Sequence, residues 1–173
     1  VVCPTLAVGG SERLSVNLVN FYVSQGFQVD LVVFNSNGAQ ADAVSKQVRI
    51  IDLATKRARY AVLKLAKYLR SEKPEIVISM LREASIALGL ASFVKKRVTK
   101  VIIREAAGIS LLDIKYSFFQ SIKLIIMRLG FAAADGLIVN SNNTLVSLKR
   151  INLVSKELPV SVIGNPVLAE NYR

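Results

Sequence analysis

V-V-C-P-T-L-A-V-G-G-S-E-R-L-S-V-N-L-V-N-F-Y-V-S-Q-G-F-Q-V-D-L-V-V-F (residues 1–34) places a glycine-containing loop and a helix-like run between two apolar segments. Ser11 can act as the N-cap of that helix, and Gly26 supplies its stop. Residues 27–34 are typical of a strand. The stretch therefore predicts a strand–helix–strand unit, which in proteins is almost always a right-handed crossover between parallel strands. The predicted buried face of the helix carries Leu14, Leu18 and Phe21.

The same alternation continues to the end of the chain. Further strands are predicted over 48–53, 75–80, 99–105, 136–141 and 160–167, and further helices over 56–73, 83–94, 111–134 and 141–150. Gly130 is a possible break in the third of these helices. Short connections between alternating elements predict an α/β fold, a Rossmann-like doubly wound parallel sheet of about six to seven strands with helices on both faces. We expect residues 1–173 to form a single domain.

The helix predicted over 56–73 is strongly two-sided. Its apolar stripe consists of Ala58, Ala61, Val62, Leu65 and Leu69, and the opposite face carries Lys56, Arg57, Lys64, Lys67 and Arg70. A second mixed segment, 111–128, places cationic residues near Phe118, Phe119 and Ile122. This arrangement suits attachment to an anionic bilayer. A solvated basic surface over an ordinary core helix explains the pattern equally well.

Composition excludes several classes of function. Of the net charge of +11, residues 1–53 contribute −1, while residues 54–173 contribute +12, which favours an anionic partner for the second part. Histidine is absent and Cys3 is the only cysteine, so histidine-based catalysis, disulfides and zinc cages are excluded. We expect no metal and no cofactor. No apolar run is long enough to cross a membrane, and nothing resembles a signal peptide, so a cytoplasmic location is expected.

The glycine loop fits neither common nucleotide fingerprint. A dinucleotide site requires a third glycine and an acidic residue near the end of the second strand, and a P-loop requires Gly-Lys-Ser/Thr. Neither pattern is present after Gly9 and Gly10. The two glycines could instead expose backbone N–H groups at a helix start to an oxygen-rich ligand. They could equally serve only to turn the chain.

Five motifs in order carry a family resemblance. They are G-G-S-E-R with its following helix and strand (9–34), L-R-S-E-K-P-E-I-V-I-S (69–79), V-I-I-R-E (101–105), A-D-G-L-I-V-N-S (134–141) and V-I-G-N-P-V (162–167). Together they resemble the N-terminal half of family 4 (group 1) glycosyltransferases with the GT-B fold. The resemblance implies an acceptor-side domain, with the C-terminal donor-binding domain absent from this chain. The chain alone is then expected to be inactive.

The resemblance also assigns expected roles to individual residues. Gly9 and Gly10 would face the donor phosphates, and Glu12 and Arg13 match the Glu-Arg of the family motif. Many relatives carry a histidine near the end of the fifth strand, where this chain has Ala-Ala. This departure leaves Glu105 as the candidate catalytic group.

Four further residues are candidate substrate-binding groups. Arg104 ends the fifth strand beside Glu105, and Arg82 could bind an acceptor phosphate, although it could equally be a solvated residue at a helix start. Ser141 matches a family position but also suits an N-cap. Asn165 lies where the chains of this family cross to the second domain.

The leading hypothesis is therefore the acceptor-binding domain of a retaining glycosyltransferase, acting in bacterial polysaccharide or glycolipid assembly. Its partners would be a nucleotide-sugar donor, a glycan or lipid-linked acceptor and an anionic membrane surface at the inner face of the plasma membrane. Two alternatives stay open: another GT-B enzyme such as a sugar-nucleotide epimerase, or a stand-alone basic α/β module that binds nucleic acid. Against the module, the basic residues show no recognition helix or aromatic stacking motif, so we expect no nucleic acid.

Overall fold

The computed structural model describes residues 1–55, 57–93, 99–107 and 118–165, although five side chains in the last range (118–121 and 123) are outside the description. The strands are β1 (Val2–Cys3), β2 (Asp30–Val33), β3 (Arg49–Asp52), β4 (Ile76–Ser79), β5 (Lys100–Glu105), β6 (Gly136–Val139) and β7 (Val160–Val162). The helices are α1 (Gly10–Ser24), α2 (Ala58–Glu72), α3 (Arg82–Ser92), α4 (Phe118–Ala132) and α5 (Asn142–Arg150), with a 3-10 turn at Ala41–Ala43.

All seven strands pair in parallel, in the order β3-β2-β1-β4-β5-β6-β7. The strand order reverses between β1 and β4. The chain first adds β2 and β3 on one side of β1, and then crosses back to add β4 to β7 on the other side. This doubly wound topology confirms the predicted fold class. It also fixes where ligands bind in such sheets, at the carboxyl ends of the strands beside the reversal.

Alternate residues of the strands send their side chains to opposite layers of helices. Val2 packs in one core with Leu65 of α2 and Leu88 of α3. Its neighbour Cys3 packs on the other face with Val16 of α1. The prediction of helices on both faces is therefore confirmed.

The far half of the sheet is covered on the same side as α2 and α3. Ile103 of β5 packs with Met127 and Phe131 of α4 and with Leu148 of α5. Ile103 lies two residues beyond Val101, which belongs to the core of α2 and α3, so both residues face the same layer. Helices α2 to α5 thus form one layer, and α1 covers the other face near β1 and β2.

Two expectations for α1 are wrong. Gly9, not Ser11, is the N-cap, and no side chain caps the helix; Ser11 already lies in its first turn. The buried face is formed by Ser15, Val16 and Val19, whereas Phe21 is 58% exposed. Leu14 and Leu18 are half-buried.

The predicted break at Gly130 is also wrong, because α4 continues through it to Ala132. The glycine has a packing role instead. A Cβ on Gly89 of α3 would overlap the carbonyl oxygen of Gly130, so the two helices touch backbone to backbone at this crossing. The predicted stripe of α2 is confirmed, with Ala61, Leu65 and Leu69 fully buried.

Several sequence-based predictions fall on undescribed parts of the chain. They concern residues 94, 111–117 and 166–167, Lys56, and the side chains of Phe118 and Phe119. Among the residues that the structure describes, no helix is long and apolar enough to cross a membrane.

An ionic cluster ties the amino ends of β2 and β3 to the end of α2. Arg49 donates to both carboxylate oxygens of Asp30, at 2.8 and 2.6 Å, and to Glu72 at 2.6 Å. The Tyr68 hydroxyl donates to Asp30 at 2.9 Å. The hydrogen bonds from Arg49 and then from Tyr68 hold the pKa of Asp30 below its usual value, against the effect of burial.

We predict that Asp30→Asn lowers the free energy of unfolding at neutral pH, and that this difference shrinks in acid. A depressed carboxyl pKa contributes stability above the unfolded-state pKa of about 3.9, and this contribution is lost as the pH falls through the folded-state value. Urea unfolding of both proteins from neutral pH to about pH 3 measures the difference. Asp42→Asn, at an exposed carboxylate with no ion pair among the described residues, is the control. A difference that does not change with pH would contradict the prediction.

Candidate functional site

The carboxyl edge of the sheet collects most of the candidate residues, because parallel strands all end there. Gly9 and Gly10 follow β1, Arg82 follows β4, and Glu105 ends β5. Ser141 follows β6, and Asn165 follows β7.

The two glycines form the amino end of α1. Gly9 is extended, with φ −171° and ψ 154°, and its carbonyl accepts the first helical hydrogen bond from the N–H of Arg13 at 2.9 Å. A Cβ built on Gly10 would meet no atom within 4 Å. Gly10 therefore borders open space, and a ligand can approach the backbone there as closely as the sequence suggested.

Glu12 lies across the start of the same helix. A Cβ on Gly9 would overlap its carboxylate, and Thr5 Oγ1 donates to Glu12 Oε1 at 3.4 Å. A carboxylate in the first turn is favoured by the helix dipole. In this structure Glu12 thus occupies part of the anion-favouring region that the glycines leave open, and its side chain would have to swing aside for a phosphate to enter.

Arg82 and Glu105 form an ion pair across β4 and β5. Arg82 Nε lies 3.0 Å from Glu105 Oε2, and an NH2 donates to Oε1 at 3.3 Å. The same guanidinium donates to the carbonyl of Ala107 at 2.7 Å, while the N–H of Ala107 donates to Glu105 at 3.2 Å. Arg82 is 28% exposed, whereas Glu105 is 3% exposed. The carboxylate is thus desolvated, and its charge is balanced by one arginine.

Arg104 joins the end of β5 to the segment after β7. One of its NH2 groups donates to the Oδ1 of Asn165 at 2.5 Å. The other terminal nitrogen, NH1, is buried and has no hydrogen-bond partner among the described residues. Burial lowers the pKa of Arg104, and the charge of Glu105 partly offsets this effect.

Ser141 has a structural role. It is the N-cap of α5, and its hydroxyl accepts a hydrogen bond from the N–H of Thr144 at 3.2 Å. Thr144 is itself tied to Asn140 at 2.7 Å. The hydroxyl is therefore engaged by the start of the helix.

A pocket of about 430 Å³ opens on the other side of the reversal, at the ends of β1, β2 and β3. The sequence analysis did not predict this pocket. The available signal was a polar residue two or three positions after each of three neighbouring strands, namely Thr5, Asn35 and Thr55. The pocket is lined by Pro4, Thr5, Phe34, Asn35, Asn37, Thr55, Ala58 and Glu83.

The described residues contain no group of three or more histidine, cysteine, aspartate or glutamate side chains that could hold a metal ion. The chemistry available at this edge is therefore that of exposed backbone N–H groups, two arginines, a buried carboxylate and a pocket that is lined by apolar and polar residues together. Such a set can bind a polar ligand and order its charges.

This fold and this edge define a ligand-binding domain of the doubly wound α/β class. The chain belongs to Glycosyltransferase Family 4, whose family model matches residues 8–170. No curated protein matches the chain by sequence.

Solved structures of GT-B glycosyltransferases share the fold. The apo form of the lipopolysaccharide outer core galactosyltransferase WaaB aligns with a TM-score of 0.61 and 18% identity, over 96% of this chain and 45% of that one. An alpha-glucosyltransferase in complex with UDP-glucose and DNA containing an abasic site aligns with a TM-score of 0.56 and 14% identity, over 96% and 43%. The chain spans less than half the length of these structures.

We predict that Arg82→Met destabilises the fold, because it leaves the buried carboxylate of Glu105 without its counter-charge. Breaking a fully buried pair costs about 3–5 kcal/mol, and the partial exposure of Arg82 reduces the expected loss to about 1–3 kcal/mol. Equilibrium unfolding measures it. The double variant Arg82→Met/Glu105→Gln should recover part of the loss, since no buried charge is then left alone. A double variant no more stable than Arg82→Met would contradict this account.

Proposed function

We propose that this chain is the acceptor-binding domain of a retaining glycosyltransferase, which moves a sugar from a nucleotide-sugar to a polysaccharide or lipid-linked acceptor. The family match over residues 8–170 carries the proposal. Two properties of the edge support it: Gly10 leaves bare backbone at the amino end of α1, which donor phosphates could approach once the Glu12 side chain swings aside, and the pocket beside it provides room for an acceptor. The donor would be held mainly by a second domain, so this chain alone would not catalyse transfer.

The family match favours transfer over the two alternatives. A sugar-nucleotide epimerase would share the GT-B fold but would not require an acceptor pocket. The hypothesis of a nucleic-acid-binding module is supported by the net positive charge alone. One structural relative does hold DNA, but an identity of 14% supports a common fold and not a common substrate.

The test is a transfer assay on the protein at its natural length, with a panel of nucleotide-sugars and glycan or lipid-linked acceptors. Release of nucleoside diphosphate with formation of a product that keeps the anomeric configuration of the donor, read by NMR, is expected. Epimerised sugar-nucleotide without transfer would identify the first alternative. Salt-sensitive DNA binding without transfer would identify the second.

We predict that Gly10→Ala separates folding from transfer. The added methyl group meets no atom of the protein, so the melting temperature should be unchanged or slightly higher. It would stand where the phosphates approach, and a displacement of about 1 Å can cost roughly 100-fold in rate, so kcat/KM should fall about 10- to 100-fold. Asn17→Ala, on the exposed side of the same helix, is the control and should leave transfer unchanged. Full activity of Gly10→Ala would contradict the role of the loop.

A peripheral membrane location is part of the proposal. On α4, Ile122, Ile125, Ile126 and Leu129 form an outward stripe that is 40–54% exposed. On α2, Leu63 is 79% exposed among basic side chains. The two helices flank α3 in one layer, so aliphatic and cationic groups lie on the same side of the domain. This combination suits insertion at the cytoplasmic face of an anionic bilayer.

We expect Ile125→Asp to weaken binding to vesicles that contain phosphatidylglycerol about 5- to 10-fold, since it removes inserted apolar surface and adds an anion. Phe21→Asp, at a 58% exposed site on the opposite face of the sheet, makes the same change in charge and should have little effect. Co-sedimentation measures both. Equal loss in the two variants, or binding that does not depend on anionic lipid, would contradict the membrane proposal.

A further inference from the structure

The first turn of α3 is fixed to the end of β4. The hydroxyl of Ser85 donates to the carbonyl of Leu81, the N-cap of the helix, at 3.0 Å, and its N–H donates to the same carbonyl at 2.8 Å. The hydroxyl of Ser79 in β4 lies 2.8 Å from that of Ser85, and both residues are fully buried. A buried polar group with its bonds satisfied in this way is rigid. Arg82, the first residue of the helix, therefore extends from a fixed base.

Arg82 bonds to two kinds of acceptor at the end of β5. Its Nε and Nη2 donate to the two carboxylate oxygens of Glu105, and Nη2 also donates to the carbonyl of Ala107 at 2.7 Å. The N–H of Ala107 donates in turn to Oε1 of Glu105 at 3.2 Å. Both backbone groups of Ala107 are thus held, the carbonyl by the guanidinium and the N–H by the carboxylate. One arginine therefore holds the first residues after β5 in place.

Helix stability does not explain the position of Arg82. A cation at the first position of a helix opposes the helix dipole, and no side chain caps α3. A buried ion pair also adds little net stability compared with apolar packing, because both charges lose their water. What an arginine supplies here is geometry. Its planar fork can bond to a carboxylate through two nitrogens while it bonds to a carbonyl beside it.

The bonded group lies where its geometry can affect a reaction. It stands at the carboxyl edge on β5, which pairs with β4 next to the reversal of strand order, and ligands bind at this edge in doubly wound sheets. Glu83, the residue after Arg82, lines the pocket at the ends of β1 to β3. The first turn of α3 thus connects the pocket wall to the segment after β5. The bonds of Arg82 fix that segment relative to the pocket.

We propose that Arg82 is a positioning residue, which holds residues 105–107 in the conformation that the substrates meet. The proposal rests on the function proposed above and adds a residue that acts through Glu105 and the backbone of Ala107. The planar guanidinium does the positioning, and a positive charge at the same place does not suffice.

Arg82→Lys separates the charge from the geometry. The lysine keeps the counter-charge of the buried carboxylate, so the variant should fold and should be more stable than Arg82→Met. A single ammonium group cannot reproduce the fork, so at least one of the three bonds is lost. Exchange of the Ala107 amide hydrogen with deuterium, measured by NMR on the protein at its natural length, should become about 2- to 10-fold faster, the value of one hydrogen bond.

The transfer assay measures the consequence for the reaction. In Arg82→Lys, kcat/KM should fall about 10-fold, since a displacement of about 1 Å in a site can cost up to roughly 100-fold in rate. A residue that only neutralises Glu105 would be rescued by lysine in every measurement. A positioning residue is rescued in stability but not in amide exchange or in transfer.

Arg49→Lys is the matched control. Arg49 also bonds to one carboxylate through two nitrogens, that of Asp30, and to a further acceptor, Glu72, but at the amino edge of the sheet. The same loss of a planar fork should lower stability there. It should leave the exchange of the Ala107 amide and the rate of transfer unchanged.

Each outcome decides the matter. Unchanged exchange in Arg82→Lys, unchanged transfer, or equal effects in the two lysine variants overturns the inference. Faster exchange at Ala107 and slower transfer, both confined to Arg82→Lys, support it. If the unsubstituted protein transfers no sugar, the proposed function is wrong, whereas the exchange data still decide whether the guanidinium holds the segment.

Discussion

Parallel pairing of all seven strands is the constraint on which the rest of the molecule depends. It brings the residues that follow β1, β2, β3, β4, β5, β6 and β7 to one edge, although they are far apart in the sequence. It also separates two roles. The amino edge carries the Asp30–Arg49–Glu72 cluster, which binds strands to helix, while the carboxyl edge carries the open glycines, the pocket and the charged pair.

The reversal between β1 and β4 divides the carboxyl edge by charge. On one side, Glu83 is the charged residue among the described residues that line the pocket, beside apolar and uncharged polar ones. On the other side lie two arginines, one paired with Glu105 and one bonded to Asn165. The bare backbone of Gly10 lies between the two groups.

The sequence predicted the topology because strand and helix periodicities are local, and alternation with short connections leaves few arrangements. Prediction from the sequence failed where the outcome depends on how two elements pack against each other. The buried face of α1 depends on which side of the helix meets the sheet, and there Val16 and Val19 are buried instead of Phe21. The sequence indicated a break at Gly130 because its packing contact, Gly89, lies on another helix and is not visible from local periodicity.

The candidate site shows the same limit. Sequence reasoning found Arg82 and Glu105 separately, as residues at strand ends, but could not show that they pair. Motifs predict which residue types reach the edge, and packing alone decides which of them have a partner.

The pairing restricts what Glu105 can do in a reaction. One of its oxygens accepts from Arg82 Nε, and the other accepts from an Arg82 NH2 and from the N–H of Ala107. Both carboxylate oxygens are thus occupied by donors of the protein, and a substrate can reach them only by displacing one of these donors. The catalytic role predicted for Glu105 therefore requires Arg82 to move first.

Arg82 is the partner able to do so, since its side chain is 28% exposed and reaches Glu105 from the first turn of α3, whereas Glu105 is almost completely enclosed. An anionic substrate that attracted Arg82 would release the Glu105 carboxylate in the same step. Binding of an anion at this edge would then free the one carboxylate that is buried among the described residues.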